Sequence, residues 1–310
     1  MSLSPVLSAH LCAFGTATVW GMTFISSKVL LEQYTALEVA LYRFVLAMAV
    51  MFLLRPRPFR HGGGWRTELL FAGAGATGIS IYFFFENVAL TYTYASNVSL
   101  IVCTAPFFTG LVARIFLGET LHANFFTGFV IAITGIALIS FNGASNLGLN
   151  PKGDLLTVCA AFSWAFYSML TRRIFSRGYP LYLATRRILA WGLITLVIAV
   201  PFQEQPLTPP HLDSAETWLN FLFLGVMASS LGFLTWNYGL RILGAVKCTA
   251  YVYLSPVVTV VAGVIILDEH LTVMSVAGML MTLAGLILSE RHGNALAFLK
   301  RSGRNNSEKE

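Results

Sequence analysis

Apolar residues run through this chain in long stretches separated by short polar joints. The pattern predicts ten helical spans near 11–30, 36–54, 68–91, 95–117, 123–141, 153–173, 181–201, 217–240, 245–267 and 271–289. A helix crossing the hydrocarbon core of a bilayer needs about 20 predominantly apolar residues, which these stretches supply. The joints include a basic loop (Arg55, Arg57, Arg60, Arg66), a Gly/Asn-rich connection from Asn142 to Gly153, and a Pro-containing acidic loop from Gln203 to Glu216. Two five-helix halves are expected at 11–141 and 153–289, followed by a polar tail at 291–310 whose Lys/Arg/Asn/Ser-rich end reads as disordered.

Composition removes the soluble alternative. Hydrophobic residues make up 56% of the 310 and charged residues only 11%, with a mean hydropathy of +0.71. A soluble domain carries about 25% charged residues and could not cover its surface with so few. The net charge of +6 raises the question of a nucleic-acid partner, but the charges sit where orientation signals sit. Fifteen of the 20 Lys and Arg fall in one set of alternate loops and the tail, whereas the opposite loops hold Lys28 and Lys152. Arg43, Arg186 and Arg187 fall within spans. Positive charge stays on the cytoplasmic side, which predicts a multi-pass protein of the cell inner membrane with both termini cytoplasmic and no nucleic-acid partner. The first apolar run has no basic segment before it and no small-residue cleavage site, so it is read as a retained helix. Cys12, Cys103, Cys159 and Cys248 lie in apolar spans and read as small buried hydrophobes.

The chain also repeats itself. Trp20/Trp164, Lys28/Arg172 and Arg43/Arg187 are 144 residues apart. At an offset of 150 stand Gly75/Gly225, Asn87/Asn237, Ala95/Ala245, Pro106/Pro256, Glu119/Glu269, Gly128/Gly278 and Gly135/Gly285. The added six residues fit a longer loop between the seventh and eighth spans. Constant register over this many pairs indicates an internal duplication. Each half has five spans, so the second half enters the membrane from the other side. Inverted repeats of this kind are a transporter architecture, with substrate held near the midplane between the halves.

The motifs carry a family resemblance. The first span holds Val19-Trp20-Gly21, the second Leu41-Tyr42-Arg43-Phe44, and the third-to-fourth region Asn87-Val-Ala-Leu-Thr-Tyr92-Thr-Tyr-Ala95-Ser-Asn97, then Pro106 and Leu117-Gly118-Glu119. Over roughly residues 11–290 the chain resembles the drug/metabolite transporter superfamily, specifically its EamA-type ten-helix exporters. The resemblance implies a ten-helix bundle whose central cavity is lined by the first, third, fourth, sixth, eighth and ninth helices. It also implies small-molecule cargo such as aromatic or neutral amino acids. The second half departs from the pattern at Trp164-Ala165 and at Asp268-Glu269.

Candidate chemistry is concentrated inside the spans. Pro106 and Pro256 lie near the centres of the fourth and ninth spans and free the carbonyls of Val102 and Val252, as hinge or cavity elements or as plain packing kinks. Glu86 lies several residues inside the third span, where a charge costs about 3 kcal/mol. It is a candidate proton-coupling carboxylate or contact for a substrate amino group; an ion pair with Arg43, or a position near the interface, is the structural alternative. Arg43 could hold a carboxylate bidentately, although an anchoring role on carbonyls or Glu86 fits it as well. Arg187, nearer a helix end, is expected to snorkel. Trp20, Tyr82, Asn87, Asn97, Trp164, Tyr167, Trp236, Asn237 and Tyr251 are candidate cavity residues, since small-molecule pockets combine apolar walls with a few polar anchors. Tyr92 and Tyr94 read as interfacial belt residues, and Glu119 and Glu269 as loop-end caps on opposite faces.

Gly73-Ala-Gly75-Ala-Thr-Gly78 fits a dinucleotide fingerprint, but it lies inside one apolar span, where small residues serve close helix packing. No HExxH, GxSxG or Walker A sequence is present, and the six histidines fall in predicted loops or at span ends, so no enzyme activity, metal or cofactor is expected. The resulting expectation is a monomeric secondary exporter of small amphipathic metabolites, a candidate for proton coupling, working by alternating access. An importer or exchanger of phosphorylated or nucleotide-linked metabolites is the runner-up. A membrane scaffold or a membrane-embedded enzyme is the alternative of another class.

Overall fold

The computed structural model describes residues 4–56, 63–117, 123–142, 151–203, 206–209, 214–243, 248 and 250–290. The basic stretch at 57–62, the Glu119 loop, the joint at 143–150, Lys247 and the tail from Arg291 lie outside the described residues. So do His61, His122, His211 and His292.

Among the described residues the regular structure is helical throughout. The first half contains α1 (Pro5–Leu30), α2 (Ala36–Leu54) and α3 (Gly64–Tyr92), then α4 (Ala95–Val102 and Ala105–Leu117) and α5 (Ala123–Asn142). The second half contains α6 (Pro151–Ser176), α7 (Leu181–Ala199), α8 (Ala215–Leu243), α9 (a 3-10 turn at Ala250–Tyr253 running into Leu254–Ile266) and α10 (Val273–Glu290). Six helices, α2, α3, α4, α6, α7 and α8, are long and apolar enough to cross a membrane, and shorter apolar helical stretches occupy 124–138, 251–266 and 276–288.

Three element boundaries differ from the hydropathy pattern, each for a local reason. α1 begins at Pro5 because the Ser4 hydroxyl accepts the Leu7 N–H at 3.2 Å and proline needs no donor in a first helical turn. His10 therefore lies within a helix. α6 likewise begins on Pro151. The ninth segment is not α-helical through 250–253: Pro256 cannot donate to Val252, and the chain tightens into a 3-10 turn there. In α4 the equivalent interruption falls at Cys103–Thr104, two residues before Pro106.

Packing exchanges the two halves. α1 lies against α8 and α9, and its repeat mate α6 lies against α3 and α4. α2 packs on α8 as α7 packs on α3, while α2 meets α7 and α5 meets α10. Glycines permit the closest of these approaches. A Cβ on Gly75 would lie 2.5 Å from the Gly192 nitrogen, and one on Gly225 would lie 2.6 Å from the Leu46 Cβ. The Gly-rich stretch of α3 is thus a packing surface.

The α5/α10 seam depends most on missing side chains: a Cβ on Gly135 would lie 2.4 Å from Thr282 Oγ1 and 2.5 Å from the Gly278 oxygen. Gly135→Val is expected to lower stability by about 1–3 kcal/mol. Gly15→Ala, where a Cβ meets nothing within 4 Å, should leave it unchanged or raise it. Thermal unfolding of the purified protein in detergent checks both.

Candidate functional site

Side chains from both halves converge in one aromatic cluster. Trp20 on α1 stands 4.9 Å (centroid to centroid) from Trp236 and 5.8 Å from Phe233, both on α8. It is 5.8 Å from Trp164 on α6. Trp164 in turn meets Tyr82 on α3 at 5.0 Å and Tyr167 at 4.7 Å. Tilted and edge-on geometries prevail, as ring quadrupoles favour. Five sequence candidates, Trp20, Tyr82, Trp164, Tyr167 and Trp236, are brought together. Phe233, Phe83 and Phe44 complete the cluster, and they were concealed among the 24 phenylalanines of an apolar chain.

Glu86 follows Tyr82 by one helical turn and is 1% exposed; Arg43 on α2 is also 1% exposed. The Arg43 guanidinium lies 4.2 Å from the Phe83 ring centre, and its Nε donates to Ser229 Oγ at 3.0 Å. Arg43 on α2 and Tyr82 on α3 both stand near Glu86. The two opposite charges nevertheless form no ion pair: Arg43 Nη1 and Glu86 Oε1 both lack a hydrogen-bond partner. The ion pair considered from sequence is not formed. Arg187, by contrast, pairs with Glu68 through Nε at 2.8 Å, and the Trp191 indole donates to the same carboxylate. The Arg187 side chain is partly exposed, so the pair forms away from the buried interior.

The helices that carry this site are irregular at matching places. α3 widens into a π-helical stretch at Ala76–Ile81 and α8 at Phe223–Leu231, and residues 226–231 are the repeat equivalents of 76–81. Such widened turns recur at functional sites. First-helix side chains of each half answer the carbonyls within them. The Trp20 indole donates to the Ala228 oxygen at 3.1 Å, and Ser163 Oγ donates to the Thr77 oxygen at 2.7 Å.

The remaining candidates make bonds of their own around the cluster. Asn87 donates to the Ala36 oxygen at 3.0 Å and Asn237 to Thr185 Oγ1 at 2.9 Å, so this repeat pair ties α3 to α2 and α8 to α7. Both keep a buried Oδ1 without a partner. Asn97 donates to Thr93 Oγ1 at 3.2 Å at the start of α4. The Tyr251 hydroxyl meets His10 Nδ1 at 2.9 Å, on the side of the cluster occupied by Trp236 and Cys248. Pro106 and Pro256 each follow a helix interruption, and the Cys103 thiol donates to the Val252 carbonyl that Pro256 frees, at 3.4 Å. Tyr92 and Tyr94 face the ammonium groups of Lys152 and Lys28. Among the described residues no group of three or more His, Cys, Asp or Glu side chains is placed to hold a metal ion.

Comparison with known proteins now bears on this arrangement. The model of the EamA-like transporter family matches residues 7–141 and again residues 151–291. An uncharacterized transporter of Archaeoglobus fulgidus is 28% identical over 283 residues, covering 89% of this chain and 96% of the relative. A probable terminal-alkyne amino-acid exporter of Streptantibioticus cattleyicolor is 27% identical, covering 89% and 91%. A probable amino-acid metabolite efflux pump of Escherichia coli K12 is 26% identical, covering 87% and 91%. A protein of known crystal structure shares the fold with a TM-score of 0.63 at 20% identity, over 92% of this chain and 98% of that one.

Ser229 offers Arg43 its one side-chain acceptor among the described residues. Ser229→Ala is expected to cost about 2 kcal/mol, the scale of a hydrogen bond to a charged group, against about 1 kcal/mol for Ser80→Ala, whose hydroxyl donates to the neutral Gly192 carbonyl at 2.9 Å. Equal losses in thermal unfolding would show that Ser229 does not hold the guanidinium.

Proposed function

The chain belongs to the EamA-like transporter family, a group of multi-pass membrane proteins within the drug/metabolite transporter superfamily, and from that premise we propose that it exports amino acids with aromatic or neutral side chains. The reading is of a secondary transporter with ten spans in two inverted five-helix halves, placed in the inner membrane with both termini cytoplasmic and acting as a monomer. Its substrate passes between the halves by alternating access, with Pro106 and Pro256 as hinge points.

The observation that carries this reading is the aromatic cluster at the junction of the repeats, next to a buried arginine and glutamate that do not pair. An amino acid has the complementary chemistry. Its carboxylate suits Arg43 Nη1, its ammonium suits Glu86 Oε1, and its side chain suits the faces of Trp20, Trp164 and Tyr82. A zwitterion satisfies both buried charges without adding net charge to the site. The relatives named as amino-acid exporters support the same class. Exchange of phosphorylated metabolites has less support, because a phosphate wants further cations beside Arg43, and Lys28 is engaged with Glu269. Once the ammonium has left, a proton on Glu86 neutralises the carboxylate, and its return couples export to the pH gradient.

Proteoliposomes loaded with radiolabelled neutral and aromatic amino acids test the proposal, with and without a pH gradient. Saturable, competitor-sensitive flux that rises with the gradient is expected. Glu86→Gln should remove the gradient dependence, and Arg43→Gln should raise KM about tenfold, the loss of one charged hydrogen bond. Absence of flux for every amino acid would overturn the substrate assignment.

A further inference from the structure

The first turn of α4 lacks a cap of its own. Its N-cap residue is Tyr94, whose side chain makes no capping hydrogen bond. The first N–H groups of a helix need acceptors, and a carboxylate is the strongest one available. Here it arrives from 174 residues away, in the other half of the molecule. Glu269 Oε1 accepts the Ala95 N–H at 2.7 Å, and Oε2 accepts the Ser96 N–H at 3.3 Å and the Ser96 hydroxyl at 2.6 Å. The Lys28 ammonium, at the end of α1, lies 3.8 Å from Oε1 and donates to the Thr93 oxygen at 2.9 Å. Glu269 is only 4% exposed. The chain is shaped to deliver it: Asp268 turns through a positive φ of 51°, and the Glu269 N–H returns to the Gly263 oxygen at 3.1 Å. Gly263 clears the space, since a Cβ there would lie 2.7 Å from Glu269 Oε2.

What Glu269 holds is a short, buried piece of α4. Ala95–Val102 is a half-helix that ends at the Cys103–Thr104 break, and its Val98 and Val102 pack in the same core as Tyr82 and Phe233. α9, which leads to Glu269, packs against this half-helix and is also fastened to α1 by side-chain bonds. Ser255 Oγ donates to the Ala17 oxygen at 2.9 Å and Thr259 Oγ1 to the Gly21 oxygen at 2.7 Å. α9 is therefore anchored on α1, and the half-helix, bounded by the Cys103–Thr104 break, carries no side-chain cap of its own. We propose that Glu269 is a positioning residue that latches the Ala95–Val102 half-helix over one end of the substrate path, and that its release lets this half-helix swing at Cys103–Thr104 to open that end. A local cap at residue 94 would stabilise the half-helix wherever it moved. A cap from the opposite repeat stabilises it only when that end is closed. The internal repeat matches Lys28, Ala95 and Glu269 with Arg172, Ala245 and Glu119, so the sequence carries the same trio for the opposite end, although Ala245 and Glu119 lie outside the described residues.

The test uses the full chain in lipid nanodiscs on a background in which Cys12, Cys103, Cys159 and Cys248 are replaced, with Ser99→Cys as a reporter buried on the half-helix. Maleimide should label position 99 at least fivefold faster in Glu269→Gln, with Glu269→Asp intermediate. Gly263→Ala, which crowds the carboxylate without altering its charge, and Ser96→Ala, which removes one of its bonds, should act in the same direction and stand in if the Gln variant does not fold. A Thr282→Cys reporter, buried in the α5/α10 seam, should keep its wild-type rate in every variant and so separate local opening from general loosening. Flux measurements should show a changed maximal rate with less than a twofold change in KM. Wild-type labelling at position 99 in both Glu269→Gln and Gly263→Ala would overturn the latch, as would equal acceleration at positions 99 and 282. The labelling requires no substrate, so a negative flux result alone bears on the exporter reading, which the flux arm rests on, and leaves the latch standing.

Discussion

Every backbone N–H and C=O that a helix does not satisfy must find a partner inside this apolar chain, because the bilayer core offers no water to take its place. The requirement explains where the irregular features sit and what surrounds them. π-helical stretches in α3 and α8, a break in α4 and a 3-10 turn in α9 all disturb the hydrogen-bond ladder. Donors from facing helices meet the disturbed carbonyls: Trp20 on Ala228, Ser163 on Thr77, Cys103 on Val252. These bonds cross between the repeats. The fold therefore fastens its halves together at the places where its helices are least regular, and the aromatic cluster lies among them.

Duplication supplies the scaffold, and divergence between the copies supplies the chemistry. Trp20 and Trp164 are repeat mates that meet in the cluster, and Phe83 and Phe233, another repeat pair, both pack on Phe44. Other equivalent positions have parted. Glu86 corresponds to Trp236, and Tyr82 corresponds to Gly232, whose bare backbone makes room for the Trp20 indole 2.9 Å from where a Cβ would stand. Arg43 lies unpaired while its mate Arg187 is engaged by Glu68. A strictly symmetric site would present the same group from both sides. The parted site presents its buried charges from α2 and α3 alone, beside aromatic rings contributed by both halves.

The apolar helices, the repeat and five of the cluster aromatics could be read from the sequence because each leaves a periodic or positional trace. Apolar runs of about 20 residues mark the helices, and Trp20 and Trp164 stand at a fixed offset. Other features leave no such trace. A π-helical turn widens a helix without changing its composition, so 76–81 and 223–231 look like any apolar stretch. Ser229 gains meaning only through Arg43, 186 residues away. Asn97 and Tyr251 have the residue types of a binding cavity but are taken up by Thr93 and His10. Glu269 could be read as a cap, but which helix it caps depends on how the two halves face each other, and that is a property of the packed chain.

Energetics favour a site whose charges stay satisfied throughout a transport cycle. A lone charge in the membrane interior costs about 3 kcal/mol or more. Arg43 and Glu86 lie near each other without pairing, so each depends on whatever occupies the space around it. Under the proposed reading, the loaded site is satisfied by the two ends of a zwitterion, and the returning site by a proton on Glu86 together with the hold of Ser229 and Phe83 on Arg43. A site that is neither loaded nor protonated would keep its unpaired charges while moving, and that cost disfavours an uncoupled return. The same reasoning separates the roles of the two glutamates. Glu86 keeps an unmet bond beside the aromatic cluster, whereas Glu269 is fully engaged at the start of α4, and under the proposed latch its bonds hold only while that end is closed.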